Sequence, residues 1–119
     1  MSMNIRLFPC HVSNPENMNG RYYSEIVFEL SSWCFVLKDI IENSKPITFP
    51  VEIPWVNKSE RRSVDELDTG CTWLVEAWVL QSLKFHNDSW HPEQIIRSKA
   101  ISAYFRELPP DWPVIVYYV

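Results

Sequence analysis

Apolar and polar residues alternate at the start of the chain, Met3, Ile5 and Leu7 on one side and Asn4, Arg6 and Phe8 on the other. This predicts a short strand that Pro9 ends. Cys10 to Gly20 holds Asn14, Pro15, Asn17, Asn19 and Gly20, residues that turn a chain readily, so a loop is expected there. From Arg21 the alternation resumes, with Tyr22, Ser24, Ile26, Phe28 and Leu30 on one face and Tyr23, Glu25, Val27 and Glu29 on the other. That is a half-buried strand. At Ser31 and Ser32 the period becomes helical: Trp33, Val36, Leu37, Ile40 and Ile41 form one stripe behind a serine N-cap, while Lys38, Asp39 and Glu42 face water. Pro46 stops this helix. Ile47, Phe49, Val51, Ile53 and Trp55 then alternate with Thr48, Pro50, Glu52 and Pro54, a strand whose prolines remove ladder donors and confine it to a sheet edge.

Val56 to Arg62 is polar and reads as a loop. Ser63 with Glu66 makes a capping box, and behind it Val64, Leu67, Cys71, Leu74, Val75 and Trp78 hold a helical stripe. A helix is expected from Ser63 to about Lys84. A strand over 71–80 competes with it, because odd positions there are almost all apolar and Gly70 weakens a helix by about 1 kcal/mol. His86 to Ser89 breaks the pattern, and Pro92 opens a further helix to about Glu107. Ser98, Lys99, Ser102 and Arg106 mark its wet stripe, and Ile96, Ala100, Ala103 and Tyr104 its dry one. Pro109 and Pro110 end it. Val114 to Val119 is apolar on both faces, which suits an interior strand. The order ββαβααβ describes a single α+β domain over residues 1–119, a small, mostly antiparallel sheet packed against helices.

Composition narrows the function. At 119 residues and 14.1 kDa the chain is one domain's worth, and 46% apolar with 22% charged residues is globular. Eleven lysines and arginines against 15 acids leave a formal charge of −4, the wrong sign for a nucleic-acid backbone. With only Gly20 and Gly70, loops that wrap phosphates in successive backbone N–H groups cannot be built, which excludes Rossmann and P-loop chemistry. No run reaches the roughly 20 apolar residues of a membrane span. The first twelve residues lack the apolar core of a signal sequence. Cys10, Cys34 and Cys71 make no complete disulfide set, so reduced thiols and a cytoplasmic location are expected.

Leu67-Asp68-Thr69-Gly70 is similar to the catalytic signature of aspartic proteases, whose short members pair two such aspartates across a dimer. Those members also resemble glycine-rich all-β sandwiches with a second glycine motif near the C-terminus. This chain has no glycine after Gly70, so Asp68 reads as an acid in a capped helix's first turns. Cys10, His11, Cys34, Cys71, His86 and His91 contain no tight metal-ligand pair, so neither metal nor cofactor is expected. Cys34 and Cys71 fall in or beside apolar stripes, and Cys10 beside His11 is expected to be more exposed.

Six tryptophans exceed what such a core needs, so some should reach the surface. On the expected helix from Ser63, Asp65, Thr69, Thr72 and Glu76 lie opposite the core stripe with Trp73 among them. Asp65, Asp68, Trp73 and Glu76, joined by Trp90 and Trp112 from adjacent loops, are the expected partner-binding residues. A small, acidic, tryptophan-rich domain without a catalytic motif resembles the immunity proteins with which bacteria neutralise cognate toxins. The resemblance is one of type and rests on no motif. It implies a non-enzymatic inhibitor that occludes the active site of a toxin, often a basic nuclease. The alternatives are a homo-oligomeric structural or adaptor subunit built on the same apolar surface, and a small hydrolase with Asp68, a histidine or Cys10 in a cleft. A monomer or a homodimer fits either binding role.

Overall fold

The structure, a computed structural model, describes residues 4–13, 21–31, 36–47, 51–54, 61–63 and 72–118. Their order is β1 (Asn4–Pro9), β2 (His11–Ser13), β3 (Arg21–Tyr23), β4 (Phe28–Ser31), α1 (Leu37–Glu42), β5 (Val51–Pro54), β6 (Arg61–Ser63), β7 (Thr72–Glu76), α2 (Ala77–Gln81), α3 (Pro92–Arg106) and β8 (Pro113–Tyr118). The strands form two four-stranded sheets, β4-β1-β8-β7 and β2-β3-β5-β6. Every pairing is antiparallel except β3 with β5. The α+β class read from the pattern holds, with two small sheets in place of one.

Alternation along β1 and β8 decides what each face of the first sheet touches. Ile5, Leu7, Val114 and Val116 point to the side where Ile40 of α1, Val79 and Leu80 of α2, and Ile101 and Phe105 of α3 complete one core. Phe8 and Ile115 point the other way and form another with Leu74 of the same sheet, with Cys10, and with Tyr22 of the second sheet. β8 sits between β1 and β7 and is covered on both faces, as its unbroken apolar run requires. Each fully buried large side chain contributes about 1.5–3 kcal/mol.

Several local expectations give way. The strand expected from Arg21 to Leu30 is two strands in different sheets. Buried Ser24 marks the break, its hydroxyl donating to the Pro9 carbonyl at 2.8 Å. Ile26 and Val27, expected on opposite faces of one strand, are both exposed at the crossover. The serine N-cap of the first helix is not used, since Ser31 ends β4 and Val36 stands at the cap. β5 is not an edge strand, because it pairs with both β3 and β6. Pro54 is tolerated because it lies beyond the β3 register and faces only Arg61 of β6. Ser63 belongs to β6, so no capping box forms there.

The long helix from Ser63 is also overturned. Thr72–Glu76 pairs with β8 through five residues, and among the described residues of that span only Ala77–Gln81 is helical. Val75 joins the helix-side core and Leu74 the opposite one, the two-sided burial of a strand. The competing strand reading is right for 72–76. The short α2 has the Ala77 and Trp78 N–H groups bound to the carbonyls of Trp112 and Pro110, a tertiary arrangement invisible in the local pattern.

α3 spans Pro92–Arg106 as expected, and Lys99 and Arg106 face water and Tyr104 packs on the core as its stripes predict, but the rest of the two stripes is exchanged. Ser98, Ile101, Ser102 and Phe105 are buried, whereas Ile96, Ala100 and Ala103 face water, Ile96 with 68% of its surface exposed. Ser98 and Ser102 are buried along with Ile101 and Phe105, which carry most of the apolar burial, and α2 packs against this helix.

Candidate functional site

β7 ends beside a surface patch that the chain builds in three steps. Strand alternation sends Trp73 and Val75 toward the helix-side core, and Leu74 and Glu76 to the opposite face. The turn into α2 then lifts Trp78 outward, leaving 46% of it exposed, while its backbone N–H is held by the Pro110 carbonyl at 3.0 Å. On the outer edge of β7, the Lys45 N–H donates to the Leu74 carbonyl at 2.7 Å. This brings the Lys45 Nζ to 2.6 Å from Glu76 Oε1.

Glu76 is thus held from two sides. The Lys45 ammonium donates to its carboxylate, and the Trp78 indole N–H points at the same oxygen from 3.4 Å. The Lys45 hydrogen bond first, with a smaller contribution from Trp78, keeps the carboxyl below the usual glutamate range. A depressed carboxyl stabilises the fold above its unfolded value, about 4.3, and that contribution is lost as pH falls through the lower folded value. Denaturant unfolding should therefore separate wild type from Glu76→Gln at pH 7 and bring them together near pH 2; a gap that persists in acid would mean that the ion pair is not its source.

A groove of about 240 Å³ runs beside this ion pair, lined in part by Val12, Leu74, Glu76, Asp111 and Pro113. Two carboxylates, one lysine and an exposed indole therefore share one surface. Such a surface can desolvate the ring in a partner's pocket while the acids attract a basic one.

Of the six expected site residues, the four described ones do not share one face. Asp65 and Asp68 lie outside the described residues. Trp73 and Trp112 are half-buried against the helix-side core, and Trp73 points away from the face that carries Glu76. The shared helix face expected for Asp65, Trp73 and Glu76 is absent, because Trp73 and Glu76 are residues of a strand. Trp90 is half-buried in the turn before α3, its N–H bound to the Asn87 carbonyl at 3.0 Å. Of the four that are described, Glu76 alone reaches the patch. Trp78 escaped the sequence reading because its helical spacing from Leu74 put it in the core stripe; the only signal for it was the surplus of tryptophans.

Cys10 is not exposed as its place beside His11 suggests. It is buried, its Sγ donates to the Phe8 carbonyl at 3.1 Å, and burial pushes its thiol up to about 12. Burial of this kind suppresses the thiolate on which nucleophilic attack depends. Iodoacetamide at pH 8 should leave Cys10 unmodified in the native protein and alkylate it in urea, as peptide mass spectrometry would read; rapid native labelling would show that the burial is wrong. Cys34 and Cys71 lie outside the described residues.

Among the described residues no group of three or more His, Cys, Asp or Glu side chains is placed to hold a metal ion. None of their helices is long and apolar enough to cross a membrane. The chain matches no protein-family model, no curated protein and no solved structure.

Proposed function

We propose that this chain is a non-enzymatic protein-binding inhibitor of the immunity type, which docks a basic protein partner on the patch around Trp78, Glu76 and Asp111. The observation that carries this reading is the exposed Trp78 ring beside a carboxylate that is already fixed in place. A tryptophan is the side chain most enriched among binding hot spots, and a partly pre-organised one loses less entropy on docking. The formal charge of −4 suits a cationic partner. The test is a photo-crosslinking residue at position 111, on the rim beside an intact Trp78, in the producing cell, with the same residue at position 97 on α3 as control. A cationic enzyme trapped from position 111 alone, and inhibited at one-to-one stoichiometry by the purified chain, is the expected result. Trapping that is equal from both positions, or a trapped protein whose activity is unaffected, would sink the reading.

A second reading has its own observation. The solvent-facing stripe of α3, Ile96, Ala100 and Ala103, is apolar and small enough for two helices to approach closely. A homo-oligomeric subunit would pair there. Sedimentation at several concentrations distinguishes the two readings, since Ile96→Glu should abolish any self-association and leave the Trp78 patch intact.

A further inference from the structure

A larger concavity, about 440 Å³, opens between the end of α2, the chain that follows it and α3. Its wall carries Lys84, His86, Lys99 and Arg106 and no aspartate or glutamate, in a chain whose acids outnumber its bases 15 to 11. Position on α3 explains part of this: Lys99, Ser102 and Arg106, at i, i+3 and i+7, share one side of the helix. Ser102 is buried where the segment after α2 packs, so the two longer cations flank a closed floor.

The walls are fixed. Gln81 donates from Nε2 to the carbonyls of Phe105 and Leu108, both at 2.9 Å, which ties the end of α2 to the end of α3. Across the loop, Asp88 accepts from Lys84 at 2.8 Å and stands 3.4 Å from His86 Nε2. That carboxyl is held below the usual aspartate range, chiefly by the Lys84 hydrogen bond. Lys99 and Arg106 have no such relief: neither takes part in any ion pair among the described residues. Arg106 in the last turn of α3 suits the negative end of the helix dipole, but Lys99 lies two turns away and has no such role.

We infer that this cleft binds a small organic phosphate, with the phosphate between Lys99 and Arg106. Unneutralised cations facing one concavity raise the local potential, and a dianion relieves it better than a single carboxylate would. The guanidinium offers a two-pronged donor to phosphate oxygens, and Ser82 and Ser102 add hydroxyls on the same wall. The volume lies in the range of small-molecule sites and exceeds what a bare ion needs, while Leu83 and the buried Phe85 give the organic part an apolar wall. A single cleft of this size on an acidic chain does not provide the extended basic track of a nucleic-acid interface. This site does not depend on the partner surface around Trp78.

The test is a titration of the full chain, followed by two-dimensional amide NMR, with inorganic phosphate, ribose 5-phosphate and sodium chloride at matched ionic strength. Ribose 5-phosphate should give saturable shifts at the amides of Lys84, Lys99, Ser102 and Arg106, at lower concentration than inorganic phosphate. Lys99→Gln and Arg106→Gln, both at exposed positions, should each weaken it about tenfold without changing the unliganded spectrum elsewhere. Lys99→Arg should keep most of the affinity. Chloride reproducing the shifts, equal affinity for phosphate and the ester, or variants that bind like wild type would each overturn the assignment.

Discussion

Truncating Phe105 to alanine should destabilise the protein by about 3–5 kcal/mol, a large share of the 5–15 kcal/mol that holds an ordinary domain together. Phe105 is fully buried on α3, and its ring meets Phe28 of β4 and Tyr104 edge-on, each with centroids 5.6 Å apart. Its carbonyl also receives the Gln81 side chain, so the residue lies where α3, α2 and the first sheet converge. The lost ring would leave a cavity that three elements cannot close together. Urea unfolding should show the midpoint falling with an unchanged slope. Ile96→Ala is the matched control on the same helix: with 68% of that side chain's residue exposed, it should cost no more than about 0.5 kcal/mol. A larger cost for Ile96 than for Phe105 would mean that α3 is rotated to the orientation its sequence suggests.

The second large effect concerns binding. Trp78→Ala should weaken the complex with the cationic partner by 2 kcal/mol or more on the usual scale of tryptophan anchors, about 30-fold in affinity, while changing stability little because the ring is only half covered in the free protein. Asp111→Lys should act differently. It should slow association and flatten its salt dependence, since a rim charge steers the encounter more than it holds the complex. Trp73→Ala and Trp112→Ala reverse the pattern, because both rings pack on the helix-side core: they should cost stability and leave the affinity of the folded fraction unchanged. Calorimetric titration of these variants at two salt concentrations gives both quantities. Affinity lost at Trp73 and kept at Trp78 would return the interface to the face first expected from the sequence.

Local pattern was sufficient where one residue period and its punctuation agreed. Pro92 at the start and the prolines after residue 108 bound α3 to within a residue of its observed span, because start and stop signals act on the adjacent backbone. The apolar run after Trp112 demanded cover on both faces, and only a central strand provides it. Alternation in β1 likewise assigned Ile5 and Leu7 to one face and Phe8 to the other, although it did not show that Phe8 would be buried too.

Packing decided the rest. Residues 72–76 satisfy a helical and a strand period together; the free second edge of β8 chose the strand, through pairings 40 or so residues away that no local window contains. α3 has small or polar residues around most of its circumference, so nothing along it distinguishes the buried side until Phe28 and α2 are in place to receive Phe105, and Ser98 and Ser102 are covered in consequence. Trp78 follows from the same cause. With β7 a strand, the turn into α2 carries that ring outward, and the anchor-sized side chain beside Glu76 is one that helical spacing had placed inside. The cationic cleft also exists only in three dimensions, where α3 and the chain after α2 bring together four bases that the sequence spreads over 23 positions, from Lys84 to Arg106. Periodicity reports which side chains avoid water on average, whereas the partner that covers them is set by contacts between segments distant along the chain.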